Sequence, residues 1–315
     1  MVLFMTNCFI GTILYDDIAH INFSATATAT TLSTFPAMSQ EEVEEWLAHI
    51  PVYAVTDSNG SGVVLKPDAD SNVFYFFMNP MMANQTLTTL KSANEDLDLR
   101  VSAFSLGKIW FRVLKNGDAA EVKLKKPGAA DSEGESATSD VEYRLVPDTR
   151  DLLGARMLLT MDPKDNEAMQ NGEVTEEVAR QAIQKAMTEA TKFNSTYNEV
   201  PVFMIQQMRM QKQPEEGSDE EAVTLLPMYF NLQNMVAIWQ QFATQAAGAE
   251  GVEPNINLLD LFELVERMQE ESEIDFRNVV LVPPAPAGSE AAVGEQTAST
   301  TGGGVQMPGA TLGDV

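Results

Sequence analysis

The chain has 315 residues, of which 44% are hydrophobic, so it is long and apolar enough for one large folded domain or two modest ones. Its 46 acidic and 20 basic residues give a net charge of −26, which disfavours binding to nucleic acids or to anionic lipids. The single cysteine, Cys8, excludes an intrachain disulfide and a zinc site built on paired cysteines. No apolar run approaches the roughly 18 residues that a membrane-spanning helix needs.

The two ends of the chain differ in composition from its body. Residues 1–38 begin with an apolar stretch and continue into Ser, Thr and Ala, as organellar targeting segments do, yet no Lys or Arg precedes Lys66. We therefore interpret this segment either as a targeting sequence or as a disordered leader. Residues 285–315 are rich in Gly, Pro and Ala and predict a disordered acidic tail, and residues 127–140 predict a loop between two strands.

Inside the body, four sequence blocks occur twice in the same order. The pairs are residues 50–55 with 200–205, 76–90 with 228–242, 99–109 with 255–264, and 141–147 with 278–284. Such ordered self-similarity predicts an internal duplication. We predict an α+β fold with two pseudo-symmetric halves of the type β-β-β-α-β-α-β, at residues 39–147 and 200–284, joined by a connecting helical region at residues 148–199.

The first predicted element is a short amphipathic helix. Ser39 and Glu42 have the spacing of a capping box, in which each residue bonds the other's backbone N–H at the start of a helix. Val43, Trp46 and Leu47 would then face the core at three- and four-residue spacing.

A buried strand is predicted to open each half. Pro51 and Pro201 stand at the beginning of these two strands, where a missing backbone N–H is tolerated. The sequence DSNGSG at residues 57–62 predicts a hairpin after the first strand, and the polar stretch at residues 211–221 is the corresponding turn in the second half.

Each half then continues from an apolar strand into an amphipathic helix. Asn79 and Asn231 are predicted N-caps, and Pro80 suits the first position of its helix. The predicted core faces consist of Ala83, Thr86, Leu87 and Leu90 in the first half and of Met235, Ile238, Trp239 and Phe242 in the second. A connecting helix is predicted over residues 174–193. Its apolar stripe would consist of Val178, Ala182, Ala186 and Ala190, with Ile183 and Met187 adjoining.

Taken together, the ordered motifs resemble the Tic22-like family, the small peripheral intermembrane-space subunit of the chloroplast inner-envelope translocon and its cyanobacterial relatives. The motifs lie at residues 50–55, 73–77, 101–113, 141–148, 200–205, 226–230 and 256–268. The resemblance implies a duplicated α/β fold with apolar grooves that hold precursor proteins in transit between the envelope membranes. It further implies no cofactor, other envelope translocon subunits as partners, and a location in the intermembrane space of the plastid envelope.

Motifs for catalysis are absent from the sequence. It has only two histidines, His20 and His49, and it lacks a zinc-protease motif, a P-loop and a nucleophile elbow. We interpret His49 as a partner of a helix C-terminus and not as a catalytic base. No pattern selects a catalytic pair among the 46 acidic residues. We therefore expect a protein that is not an enzyme, with no metal or cofactor.

Methionine is frequent, and flexible methionine side chains suit a surface that binds varied partners. We predict that a groove for client proteins includes some of Met82, Trp110, Met208, Met210 and Trp239, although each of them could instead fill the core. Three functions therefore remain open: chaperone-like binding of precursor proteins, a structural or assembly subunit without a groove, and an uncharacterised hydrolase that uses carboxylates.

Overall fold

A computed structural model describes residues 34–68, 71–93, 98–116, 124–125, 141–162, 175–212, 223–245 and 254–284. Outside these ranges lie Cys8, His20, most of the predicted leader, the predicted loop at residues 127–140, most of the second polar turn and the predicted tail. Within the described ranges, no helix is both long and apolar enough to cross a membrane.

The described chain is a mixed α+β structure, as predicted. Its strands are β1 (Pro51–Asp57), β2 (Gly62–Val63), β3 (Asn72–Phe77), β4 (Leu99–Ser105), β5 (Leu124–Lys125), β6 (Val141–Val146), β7 (Pro201–Ile205), β8 (Met210–Lys212), β9 (Val223–Tyr229), β10 (Ile256–Asp260) and β11 (Val279–Val282). Its helices are α1 (Gln40–Leu47), α2 (Pro80–Ala93), α3 (Leu106–Ile109), α4 (Thr149–Thr160), α5 (Glu176–Glu189), α6 (Leu232–Gln245) and α7 (Leu261–Met268). A π-helix, Trp110–Lys115, continues α3, and a 3-10 turn, Phe276–Asn278, precedes β11.

Two sheets share one strand arrangement. In sheet 1, β4, β1, β3 and β6 lie in that order, and β2 and β5 extend the sheet beyond β1. In sheet 2, β10, β7, β9 and β11 follow the corresponding order. Both sheets contain two antiparallel pairs followed by one parallel pair. The two sheets therefore have the same order and the same relative strand directions along this path.

Local signals place the ends of these elements. Pro51 and Pro201 are the first residues of β1 and β7. The predicted hairpin joins β1 to β2, with Gly60 at the left-handed φ of 83° that the turn requires. The Asn79 side chain accepts a hydrogen bond from the Met81 N–H at 2.8 Å at the start of α2, and Asn231 caps α6 in the same way. The capping box between Ser39 and Glu42 is also present.

The central core lies between the two sheets. Alternate residues of β1 and β3, such as Val52 and Phe76, point into it, and residues of β7 and β9, such as Val202 and Met228, belong to the same buried cluster. The helices α1, α3 and α7 and the π-helix contribute further buried side chains to it. The remaining helices α2, α4 and α6 pack against the outer faces of the sheets.

The first half covers an edge strand of the second half, and the connecting region covers an edge strand of the first half. Trp46 Nε1 and His49 Nε2 each donate a hydrogen bond of 2.8 Å to β11, at the carbonyl oxygens of Val279 and Leu281. His49 therefore contacts the second sheet, which its interpretation as a helix-terminus partner did not anticipate. On sheet 1, the loop after α5 supplies Asn198, which exchanges two bonds of 2.8 Å with the backbone of Leu145 in β6.

Three details differ from the sequence predictions. The strand pairing makes Val146 equivalent to Val282, one residue away from the sequence alignment of the last block, because Val146 pairs with Phe77 and Val282 with Tyr229. The connecting helix α5 is shorter than predicted and packs mainly on α4 within the described chain, and Ala186 is its one buried residue. Ile183 and Met187 on α5 are exposed.

Candidate functional site

The outer faces of the two sheets are covered to different degrees. On sheet 2, α4 and α6 lie side by side, and with neighbouring loops they bury a second cluster that includes Leu152, Phe203 and Trp239. On sheet 1, α2 lies mainly over β1 and β4. Within the part of the chain that the structure describes, no helix covers the outer face of β3 and β6 as α4 covers sheet 2.

This less covered region carries an apolar patch, which we call the groove and define by Tyr75, Phe77, Met82, Val146 and Tyr197. The floor is formed by the two strands: Phe77 and Val146 are buried there, and Tyr75 is half-buried. The rings of Tyr75 and Phe77 stack with their centroids 6.0 Å apart. Met82 from α2 and Tyr197 from the loop before β7 are half-buried walls. Half-exposed aromatic and methionine side chains are the groups that favour adaptable apolar binding.

One cation lies within this face. The Arg144 guanidinium lies 4.0 Å from the centroid of the Tyr197 ring and 5.8 Å from that of Tyr75, so it makes cation–π contacts with both. It also binds both carboxylate oxygens of Glu142, at 2.9 and 2.7 Å. This pairing lowers the pKa of Glu142 and raises the pKa of Arg144. The charge of Arg144 is therefore balanced by Glu142, and its contacts hold the rings of Tyr75 and Tyr197 in place.

The five residues predicted for a groove lie in different places. Met82 lines the groove defined above. Trp110 is buried in the central core, and Met208 and Trp239 are buried together in the cluster beneath α4 and α6. Met210 begins the edge strand β8 and is 41% exposed. The structure therefore brings Met208 and Trp239 together in the core and leaves Met82 alone in the groove.

Sequence reasoning missed Tyr75, Phe77 and Tyr197 as residues of the groove. The aromatic alternation of β3 was visible, but both faces of a strand look apolar when one faces a core and the other faces an open groove. Tyr197 lies in a loop that has no periodic pattern, and its position depends on Asn198, whose φ of 56° turns the chain toward β6.

A small depression lies where the two halves meet. Its volume is only about 10 Å³, and it is lined by residues that include Met78, Asp148, Asp151, Phe230 and Pro284. Ligand pockets usually exceed about 300 Å³, so this depression is too small for an organic ligand of ordinary size.

The carboxylates at this junction serve as helix caps. Asp151 is 4% exposed, and its oxygens accept hydrogen bonds from the Leu232 N–H at 2.9 Å and from the side chain of Asn231. Burial raises the pKa of Asp151 to about 7. Burial likewise raises the pKa of Asp260 to about 6, although three backbone N–H groups, including that of Val200, donate to it. Because these oxygens are occupied by backbone donors, the geometry favours structural capping over acid–base catalysis.

Among the described residues, no group of three or more His, Cys, Asp or Glu side chains could hold a metal ion. The geometry of the site therefore offers an apolar surface on one face of sheet 1 and, at the junction, carboxylates whose oxygens accept bonds from backbone N–H groups.

Comparison with known proteins gives a family for the first part of the chain. Residues 13–166 match the model of the Tic22-like family, and this match confirms the resemblance inferred from the sequence motifs. The matched span begins inside the segment interpreted as a leader. No curated protein matches the chain.

Solved structures that are similar to this chain were also found. One is "Tic22 from Plasmodium falciparum", which is 16% identical with a TM-score of 0.48, and the alignment covers 81% of this chain and 99% of that one. Another is "Anabaena Tic22 (protein transport)", which is also 16% identical with a TM-score of 0.48, and the alignment covers 84% of this chain and 100% of that one.

Proposed function

Because residues 13–166 of this chain are Tic22-like in sequence, we propose that it is a non-enzymatic component of protein import that binds precursor proteins in a chaperone-like manner. Its proposed place is the intermembrane space of the plastid envelope, where its partners are precursors in transit and other translocon subunits. The proposed client surface is the groove on the outer face of sheet 1.

The observation that carries this proposal is the incomplete cover of that face. Tyr75, Met82 and Tyr197 are half-buried around the buried floor of Phe77 and Val146, so a further apolar segment can still remove side-chain area from water. Burial of apolar area stabilises by about 25 cal/mol per Å². Exposed Met81, next to Met82 on α2, extends the surface toward solvent and adds a second flexible side chain.

The charge of the chain supports the same function. A net charge of −26 keeps a client-loaded complex soluble and attracts basic precursor segments over long range. Apolar contact survives salt, whereas the long-range attraction is screened within about 10 Å at 0.1 M salt. Binding should therefore weaken with salt but persist at about 0.5 M.

We also propose that the two sheets descend from an internal duplication, with residues 39–147 and 200–284 as repeats and residues 148–199 as the connecting region. The shared strand order supports it, as does one equivalent contact: the Leu106 N–H donates to Ile50 O, and the Leu261 N–H donates to Val200 O, both at 2.9 Å. Superposition of the two repeats in an experimental structure tests this proposal, and divergent helix positions over equivalent strands would contradict it.

The function is tested by aggregation of an unfolded client, reduced and carboxymethylated lactalbumin, in the presence of the full chain. We expect the wild type to suppress aggregation without nucleotide or added metal. Tyr197→Ser and Met82→Ser should weaken the suppression, whereas Met210→Ser, which changes an exposed methionine outside the groove, should not. Far-ultraviolet circular dichroism checks that each variant is folded. A folded wild type without any suppression would favour a structural or assembly subunit, and equal losses in all three variants would move the client surface elsewhere.

A further inference from the structure

The exposed edges of the two sheets are protected unequally. The β11 edge is bonded by Trp46 and His49, and the β6 edge by Asn198. Most of β10 is buried, including Ile256 and Leu258. Among the described residues, none bonds the opposite edge of β10 or of β4, and β4 pairs with β1 along all seven of its residues. Six of the seven residues of β4 are half-buried or exposed, with Arg100 and Ala103 exposed.

The helix over this edge also has an incompletely buried face. Ala83 of α2 is buried against sheet 1, and Leu87 and Leu90 continue its face at four- and seven-residue spacing but are only half-buried. The equivalent of Leu87 on sheet 2 is Trp239, which is 4% exposed. The apolar face of α2 therefore lies above β4 with area still to bury, whereas α6 is closed at Trp239 and half-buried at Phe242, the equivalent of Leu90.

We propose that β4 receives an extended segment of a client polypeptide as an added strand, with apolar side chains at alternate positions beneath α2 and one acidic residue near Arg100. This inference rests on the proposed function for the identity of the partner. An unpaired edge offers a row of backbone N–H and C=O groups, so main-chain bonds give sequence-tolerant binding. The alternation of a strand directs every second side chain toward Leu87 and Leu90.

The charge of Arg100 indicates which kind of segment would bind along β4. Arg100 is exposed and has no partner among the residues that the structure describes, so a carboxylate on the added segment complements it. A second copy of this chain fits less well, because each copy carries a net charge of −26. An unfolded precursor, in contrast, is extended and has backbone groups that only water satisfies.

The test uses the full chain and a labelled peptide as long as β4, in which valine alternates with threonine around a central aspartate. Two matched control peptides carry lysine in place of the aspartate or methyl groups on alternate backbone nitrogens. We expect N-methylation to weaken binding by about tenfold, since it removes donors without changing the side chains. Arg100→Glu should lower affinity for the aspartate peptide and raise it for the lysine peptide.

Hydrogen–deuterium exchange locates the peptide. We expect protection of β4 amides when it binds, with no change in β11. Binding that leaves β4 unprotected, or that is indifferent to N-methylation, overturns strand addition and leaves the proposed function standing, provided that lactalbumin aggregation is still suppressed. If neither the peptide nor lactalbumin binds the folded chain, both the inference and the proposed function are wrong.

Discussion

The two sheets have equivalent strand arrangements, but different helices cover their outer faces. In the described part of the chain, the cluster over sheet 2 has twelve buried residues, whereas the cluster over sheet 1 has three. The difference comes mainly from α4, which directly follows β6 of sheet 1 but packs on sheet 2. Equal topology therefore leaves one face closed and the other open, and the open face is where we propose that clients bind.

The largest expected effect is a difference in stability between substitutions at equivalent helix positions on the closed and the open face. Trp239→Ala removes a buried indole and should lower the free energy of unfolding by about 3–5 kcal/mol. Leu87→Ala, at the equivalent and half-buried position of α2, should cost about 1 kcal/mol. Urea unfolding of both variants measures the two costs. Similar costs would show that α2 is packed as tightly as α6, and would remove the asymmetry.

A second prediction concerns Asp151, which joins α4 to the start of α6. Burial raises its pKa in the folded state from 3.8 to about 7, so the folded state binds the proton more tightly than the unfolded state. Its contribution to stability is therefore full below about pH 4 and is lost as pH rises to about 7, with a slope of at most about 1.4 kcal/mol per pH unit.

Asp151→Asn should flatten this part of the pH dependence and raise stability near neutral pH. The remaining slope in the same range should come partly from Asp260, whose folded-state pKa is raised to about 6. Urea midpoints between pH 4 and pH 8 provide the measurement, and exchange of α6 amides should follow pH more steeply than that of α2 amides. An unchanged slope in the variant would mean that Asp151 is solvated.

The smallest expected effects concern the two covered edges. Trp46→Phe keeps the aromatic packing and loses only the bond to Val279 O, and Asn198→Gly keeps the left-handed backbone and loses the bond from the Leu145 N–H. Each should cost about 1 kcal/mol. Hydrogen exchange should rise in β11 for the first variant and in β6 for the second. Faster exchange in β6 for Trp46→Phe, or in β11 for Asn198→Gly, would contradict the roles of these bonds in covering the two edges.

Elements with local signals could be predicted from the sequence. The capping box at Ser39, the N-caps Asn79 and Asn231, and the strand starts at Pro51 and Pro201 each depend on residues within one turn or one strand end. Local chemistry fixes these features regardless of what packs on them.

The site could be predicted only in part, because it depends on what covers each face. Trp110 and Trp239 are apolar residues of helices, as the groove residue Met82 is. They are buried because other elements pack over them. Tyr197 is half-exposed because no described helix lies over the outer face of β6. Periodicity indicates which face of a helix is apolar, and it does not indicate whether a neighbour will complete the burial.

The cover of the edge strands β6 and β11 has a consequence for synthesis of the chain. Trp46 and His49 leave the ribosome early, yet their partners Val279 and Leu281 follow 233 and 232 residues later. In contrast, Asn198 follows its partner Leu145 by only 53 residues. The bonds from Trp46 and His49 to β11 therefore cannot form until nearly all of the described chain has been made. Closure of this edge is a late event with a long loop to close, so completion of the fold should lag behind translation.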